Sequence, residues 1–140
     1  MATKIYEPRK VVCSVGGELI SGFASGSFIK VEGKAAGVMM EEAGADGVGA
    51  FVVSGNHQYE LTIVLQASSS SNAVLQGIHN KSLNGVPELV EVKIECQSSG
   101  SSFFAEECMI LQAPPLDRQH DKLGTNEWKV GALDGKLLHA

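Results

Sequence analysis

The chain has 140 residues, with 11 Lys and Arg against 16 Asp and Glu and a formal charge of −5. That length suits one domain over residues 1–140, large enough to bury about two-thirds of its unfolded surface without a metal or disulfide. Hydrophobic residues at 44% and charged residues at 19% exclude a disordered acidic tail, and no apolar run approaches the ~20 residues of a transmembrane helix. The acidic balance argues against a general nucleic-acid surface, which is basic.

In chain order, MATKIYEPRK has no apolar leader segment, which implies no signal peptide and synthesis in the cytoplasm; residues 1–9 read as an arm. Residues 10–15 are a β-branched run closed by Gly16-Gly17, and 18–20 return, which predicts a hairpin. Gly22 and Gly26 punctuate the next link. Residues 27–32 alternate, with Ile29 and Val31 on one face and Phe28, Lys30 and Glu32 on the other. From about 34 to 56 the chain makes a long, mobile, hairpin-like excursion. Its arms are 38–42 and 50–54, and its Gly-rich tip is AGADGVG.

The firmest strand is 58–66. Tyr59, Leu61, Ile63 and Leu65 share one face, and Gln58, Glu60, Thr62, Val64 and Gln66 the other, so one side packs on a core and the other meets water or a partner. A Ser run at 68–71 leads into a helix over about 71–83, with Ser70 or Ser71 positioned to cap it. Val74, Leu75 and Ile78 form its apolar stripe, and Asn84-Gly85 stops it. In 89–96, Val90, Val92, Ile94 and Cys96 alternate with Glu91, Lys93 and Glu95. QSSGSS turns the chain, 103–112 returns, and Pro114-Pro115 ends the ladder. After a polar link, 127–134 supplies the last strand, with Trp128 as a core or interface anchor. The predicted fold is mainly β, a sandwich or barrel carrying one helix.

Catalytic chemistry is not written in this pattern. His57, His79, His120 and His139 have no paired metal-binding spacing, and no nucleophile elbow is present. Glu41-Glu42 and Glu106-Glu107 are adjacent on strands, so each pair is expected to split between faces as solvated charge. The Gly44 to Gly49 loop lacks the Lys-Ser/Thr of a phosphate-binding loop. Cys13, Cys96 and Cys108 lie in β-patterned stretches without zinc spacing, and each is expected to be a buried reduced thiol. The expectation is a non-enzyme without metal or cofactor. Met39-Met40 reads as an adaptable contact surface for a neighbouring subunit.

Four stretches, in this order, carry a resemblance: VVCSVGGELISGFASGSFIKVE at 11–32, AGADG at 43–47, YELTIVLQASSSSNAVLQGI at 59–78 and GTNEWKVGALDGKL at 124–137. Together they resemble the tail tube proteins of contractile-tailed bacteriophages. The resemblance implies a β-sandwich or half-barrel with one flanking helix, six subunits to a ring, and rings stacked into a tube. It implies a long loop and an N-terminal arm that reach into the adjacent ring. The implied partners are further copies of the chain, a tail sheath protein, a tape-measure protein, and baseplate and tail terminator proteins. DNA passes through without specific binding. The implied location is the virion, with assembly in the bacterial host cytoplasm. Similar folds serve type VI secretion and pyocin-like particles, so virus and secretion device both stay open, as does a monomeric all-β binding module.

On this reading Gln58, Glu60, Thr62 and Gln66, joined by Glu91, Lys93 and Glu95, face an acidic lumen that keeps DNA off the wall over a screening length of about 8 Å. The alternative is that these faces meet solvent or sheath outside. Met39, Met40, Asp46 and Phe51 are the expected inter-ring contacts.

Overall fold

The structure, a computed structural model, describes residues 5–34, 37–41, 44–118, 120 and 122–139. A short 3-10 turn, Pro8–Lys10, leads into β1 (Val11–Val15), and Gly16-Gly17 turns it into β2 (Glu18–Ile20). There follow β3 (Ile29–Gly33), β4 (Val38–Glu41), β5 (Ala50–Val53), β6 (Tyr59–Gln66) and helix α1 (Ser71–Leu83). The chain then makes β7 (Val90–Cys96), β8 (Ser102–Gln112), β9 (Thr125–Ala132) and β10 (Gly135–Leu138). The helix has the expected bounds. The excursion is a hairpin of β4 and β5, and residues 1–4 of the arm, 35 and 36, Glu42 and Ala43 lie outside the described residues.

Eight strands form one sheet in the order β2-β1-β7-β8-β9-β6-β3, with β10 pairing with β8; β4 and β5 stand apart as a two-stranded ribbon. The sheet has one apolar face. Leu61, Ile63 and Leu65 of β6, Val92 and Ile94 of β7, Phe103 and Ile110 of β8, and Trp128 and Val130 of β9 gather there in one cluster with Cys13, Val15, Ile20 and Leu75. Strands from the two ends of the order meet around it: Val11 and Cys96 share a groove with Phe28 and Ile29. A twisted sheet curling over its own apolar face is the mainly β fold with one helix that the patterning predicts, and of the forms that the resemblance implies it is the half-barrel.

The Ser run works differently from the expected cap. Ser70 holds the N-cap position in a helical conformation, and its side chain caps nothing. Instead Ser69 Oγ accepts the Ser71 N–H at 3.2 Å and donates to the Ser21 carbonyl, while buried Ser71 Oγ accepts the Ser21 N–H at 3.0 Å. Tertiary partners at the end of β2 have taken the hydroxyls that local capping would use. Gly22 belongs to this joint: its φ is +76°, and a Cβ there would lie 2.6 Å from the Ser69 side chain. At the far end the helix stops at Asn84-Gly85 as expected, with the Val86 N–H returning to the Lys81 carbonyl at 3.0 Å.

The C-terminal strand also departs from expectation. The strand expected over 127–134 is β9, which ends at Ala132, and a further strand, β10, follows it; the two lie end to end along β8, with Ala132 facing Cys108 and Gly135 facing Ala105. Opposite the break, β8 carries one residue too many, since Val90 faces Cys108 while Val92 faces Ala105. This bulge breaks the strict alternation. Glu106 and Glu107 are therefore both exposed and line one cleft with Asp134 and Lys136, rather than splitting between faces.

Candidate functional site

The residues expected to line a lumen all lie on the side of the sheet away from the core. Glu60 and Thr62 are half-buried there, and Gln66 is exposed at the end of β6. Gln58 sits just ahead of β6, exposed. Glu91 and Lys93 are exposed and Glu95 half-buried on β7. They form two groups rather than one, because β8 and β9 run between β6 and β7. Three interstrand steps separate the groups by roughly 14 Å.

The β6 group is charge-paired. Glu60 sits between Lys34, at 2.8 Å, and Lys129, at 3.8 Å. The Lys34 hydrogen bond and its charge hold the Glu60 carboxyl below the usual carboxylate range, and the same contact raises Lys34. On β3, Lys30 and Glu32 pair at 3.7 Å. Pairs this exposed set a charge pattern more than they stabilise the fold. The acidic character expected of this face is thus offset at Glu60. Lys129 is invisible to a local reading because it is brought in by register, with Thr62 facing Lys129 across β6 and β9.

Between the two groups lies an apolar groove of about 300 Å³, lined by Leu89, Met109, Leu111 and Leu133, with Glu60 and Glu107 at its rim. Leu111 lies over Gly131, where a Cβ would come within 3.0 Å of it. Sequence reading missed this groove. The extra residue at Glu106-Glu107 inverts the alternation beyond it, so Cys108 and Ile110 turn inward and Met109 and Leu111 outward.

The ribbon brings the expected inter-ring residues together. Met39 faces Val52, and Met40 faces Phe51. Every residue of its strands is exposed, with Met40 at 81%, Phe51 at 75% and Val53 at 76%. Asp46 closes the tip, its carboxylate accepting the Val48 N–H at 3.2 Å. A two-stranded ribbon with apolar side chains on both faces is marginal alone in water, and such exposed surface marks a contact site.

Cys96 corrects the expectation of three buried thiols: Cys13 and Cys108 are buried, but Cys96 is half-exposed. It ends β7, where the strand gives way to a tight turn. Its Sγ lies 3.4 Å from Ser98 Oγ. Hydrogen bonds from Ser98 and Ser99 bring its pKa down to about 7, whereas burial pushes Cys13 up to about 12 and Cys108 up to about 11. Because the thiolate is the nucleophile, iodoacetamide is expected to label Cys96 selectively. Its rate should rise with pH to a half-maximum near about 7, as read by peptide mass spectrometry. Equal labelling of all three cysteines in the folded protein would contradict this.

Among the described residues no group of three or more His, Cys, Asp or Glu is placed to hold a metal ion, and no helix is long and apolar enough to cross a membrane. His57 is exposed in the turn before β6, its carbonyl accepting the Gly135 N–H at 3.1 Å. The surfaces that the described residues present are a paired-charge sheet face, an apolar groove and an apolar ribbon.

No protein-family model and no curated protein matches the chain. Solved structures do. The chain is similar to the tube-terminating cap of the anti-feeding prophage at 10% identity, covering 100% of this chain and 95% of that one, with a TM-score of 0.66. It is similar to a chain of the sheath/tube terminator of an extracellular contractile injection system at 11% identity, covering 99% of each, with a TM-score of 0.65. A chain of that system's sheath–tube complex matches at 11% identity over 97% of this chain and 93% of its own, with a TM-score of 0.62. The chain has the tail-tube fold along its whole length.

Proposed function

We propose that this tail-tube fold works as a structural subunit of a contractile particle, assembling with copies of itself into rings and stacked rings that form a tube. The observation that carries the reading is the uncovered ribbon, apolar on both faces, on a fold shared with tube and terminator proteins. A subunit that functioned alone would leave Met40, Phe51 and Val53 in water without return, and would leave the outer edges of β2 and β3 open to pairing with other chains. Docking between copies removes both costs. Contacts that join different surfaces head to tail propagate instead of closing in a pair, which suits a tube.

In the assembled tube, hexameric rings would turn the outer face of β6 and β7 to the lumen, with Gln58, Glu60, Thr62, Gln66, Glu91, Lys93 and Glu95 on the wall. Lys34 and Lys129 beside Glu60 make such a wall charge-paired near β6 and acidic on balance near β7. DNA meeting this wall would find few free cations to bind its phosphates, so it could pass without being held. Sheath, baseplate, terminator and tape-measure proteins are the proposed partners, within a phage-like particle assembled in a bacterial host. No catalytic step is assigned to the chain.

The similarity to two tube-ending proteins supports a second reading, a terminator that forms a single ring at the end of a tube. Negative-stain microscopy of the purified protein over a concentration series tests both. Tubes are the expected result. Single rings that never stack favour the terminator, and a monodisperse monomer at every concentration overturns self-assembly.

A further inference from the structure

The helix ends on a free side-chain amide. The chain has five asparagines, and the structure holds four of them. Asn72 donates to the Gln66 and Ser69 carbonyls and accepts from Trp128, each at 3.0 Å. Asn56 Oδ1 accepts the Gln58 N–H and Asn80 Oδ1 accepts from Gln76, each at 2.9 Å. Asn126 is fixed within β9 by its pairing with Leu65 of β6. Asn84 differs: it is exposed, and its side chain has no hydrogen-bond partner among the described residues.

Of the five, Asn84 alone precedes a glycine. Gly85 has φ +83° and open space where a Cβ would stand, so no side chain comes between its nitrogen and Asn84. The Asn84 and Val86 N–H groups go to the Asn80 and Lys81 carbonyls, each at 3.0 Å, while the Gly85 N–H has no backbone acceptor among the described residues. Asn84 has φ −85° and ψ 15°, so closing a ring between the two residues first turns this backbone out of its near-helical setting. A helix terminus is where such an opening costs least, because its last turn frays.

We propose that Asn84-Gly85 is a self-modifying site, where the chain converts its own asparagine to an acid. The Gly85 nitrogen loses its proton and attacks Asn84 Cγ. The new C–N bond closes a five-membered imide, and the side-chain nitrogen takes up the proton and leaves as ammonia. A solvent water then opens the imide at either carbonyl, giving aspartate or isoaspartate. Either product adds one carboxylate to a chain already at −5. It falls at the helix C-terminus, where the partial negative charge of the free carbonyls disfavours it. It also competes for Lys81, whose ammonium Glu88 holds at 3.4 Å. Isoaspartate further lengthens the main chain inside the turn closed by Val86 and Lys81, which frees that hydrogen bond. The helix stop is thereby a one-way timer: an aged copy has a more acidic and looser joint between α1 and β7 than a new one.

The test is incubation of the purified protein in heavy-oxygen water, with its peptides read by mass spectrometry. Asn84 is expected to convert about tenfold or more faster than any other asparagine, a barrier difference of about 1.4 kcal/mol. Conversion should quicken in mildly alkaline buffer, because the attacking nitrogen must lose its proton. It should give isoaspartate beside aspartate, each carrying heavy oxygen. Asn84→Gln, whose longer side chain closes a larger ring more slowly, should stay unmodified over the same period; the position is exposed, so the variant keeps the fold. Asn84→Asp supplies the charge alone and should speed hydrogen exchange at the Val86 amide by about two- to fivefold. Conversion of Asn84 no faster than that of Asn56 or Asn126, or aspartate formed without isoaspartate, overturns the site and its ring route. Unchanged Val86 exchange in Asn84→Asp overturns the loosened joint.

Discussion

Trp128→Ala should lower the unfolding free energy of the subunit by about 3–5 kcal/mol, the usual cost of emptying a large aromatic site in a core. Trp128 is 1% exposed and is the largest of the fully buried side chains. It sits on β9 opposite Ile63 of β6, and its Nε1–H donates to Asn72 Oδ1 at 3.0 Å. Asn72 in turn donates to the carbonyls of Gln66 and Ser69, each at 3.0 Å. One indole therefore ties β9, the end of β6 and the start of the helix together. Removing it opens a cavity and frees the helix start at once. Trp128→Phe separates the two contributions: it keeps most of the packing and orphans Asn72 Oδ1, for a smaller loss of about 1–3 kcal/mol. Urea unfolding with an unchanged slope measures both. A Trp128→Ala variant that loses less than about 1 kcal/mol would show that the core does not depend on this residue.

Gly135→Ala should cost about 1–3 kcal/mol, although it adds only one methyl group. Gly135 is the first residue of β10 and is buried. A Cβ there would lie 2.7 Å from ring carbons of both Phe103 and Tyr59, which pack edge to face with centroids 5.3 Å apart. Both rings would have to give way. Phe103 is 1% exposed in the core, and Tyr59 begins the strand that pairs with Ala132. Gly55→Ala is the control, since a Cβ at that exposed position meets nothing within 4 Å, and its effect should stay within about 0.5 kcal/mol. Thermal and urea unfolding of the two variants side by side gives the comparison. Equal stabilities would mean that the ring pair yields freely.

Both variants act on the junction of β6, β8, β9 and β10, and local patterning describes that junction least well. Alternation assigns Trp128 and Val130 to one face. It cannot show that the strand pauses after Ala132 and resumes at Gly135 on the same partner. The bulge at Glu106 and Glu107 is similarly silent, because two adjacent glutamates read the same in a regular strand and in a bulged one.

What the amino-acid order determined by itself was whatever repeats within a few residues. Period two in β6 and β7 put Leu61, Ile63, Val92 and Ile94 inside and Glu60, Thr62, Glu91 and Lys93 outside. The helix stripe and its Asn84-Gly85 stop were equally local, and the apolar ribbon around Met40 and Phe51 was visible as a hairpin. Only the tertiary structure decided which strands became neighbours. It brought Lys34 and Lys129 to Glu60, gave the serines at 69 and 71 to Ser21, left Cys96 half-exposed at the end of a strand, and opened a seam between β1 and β3. The physical reason is range. Side-chain periodicity is set by backbone geometry over successive residues, whereas charge pairing, seams and bulges depend on register between segments tens of residues apart.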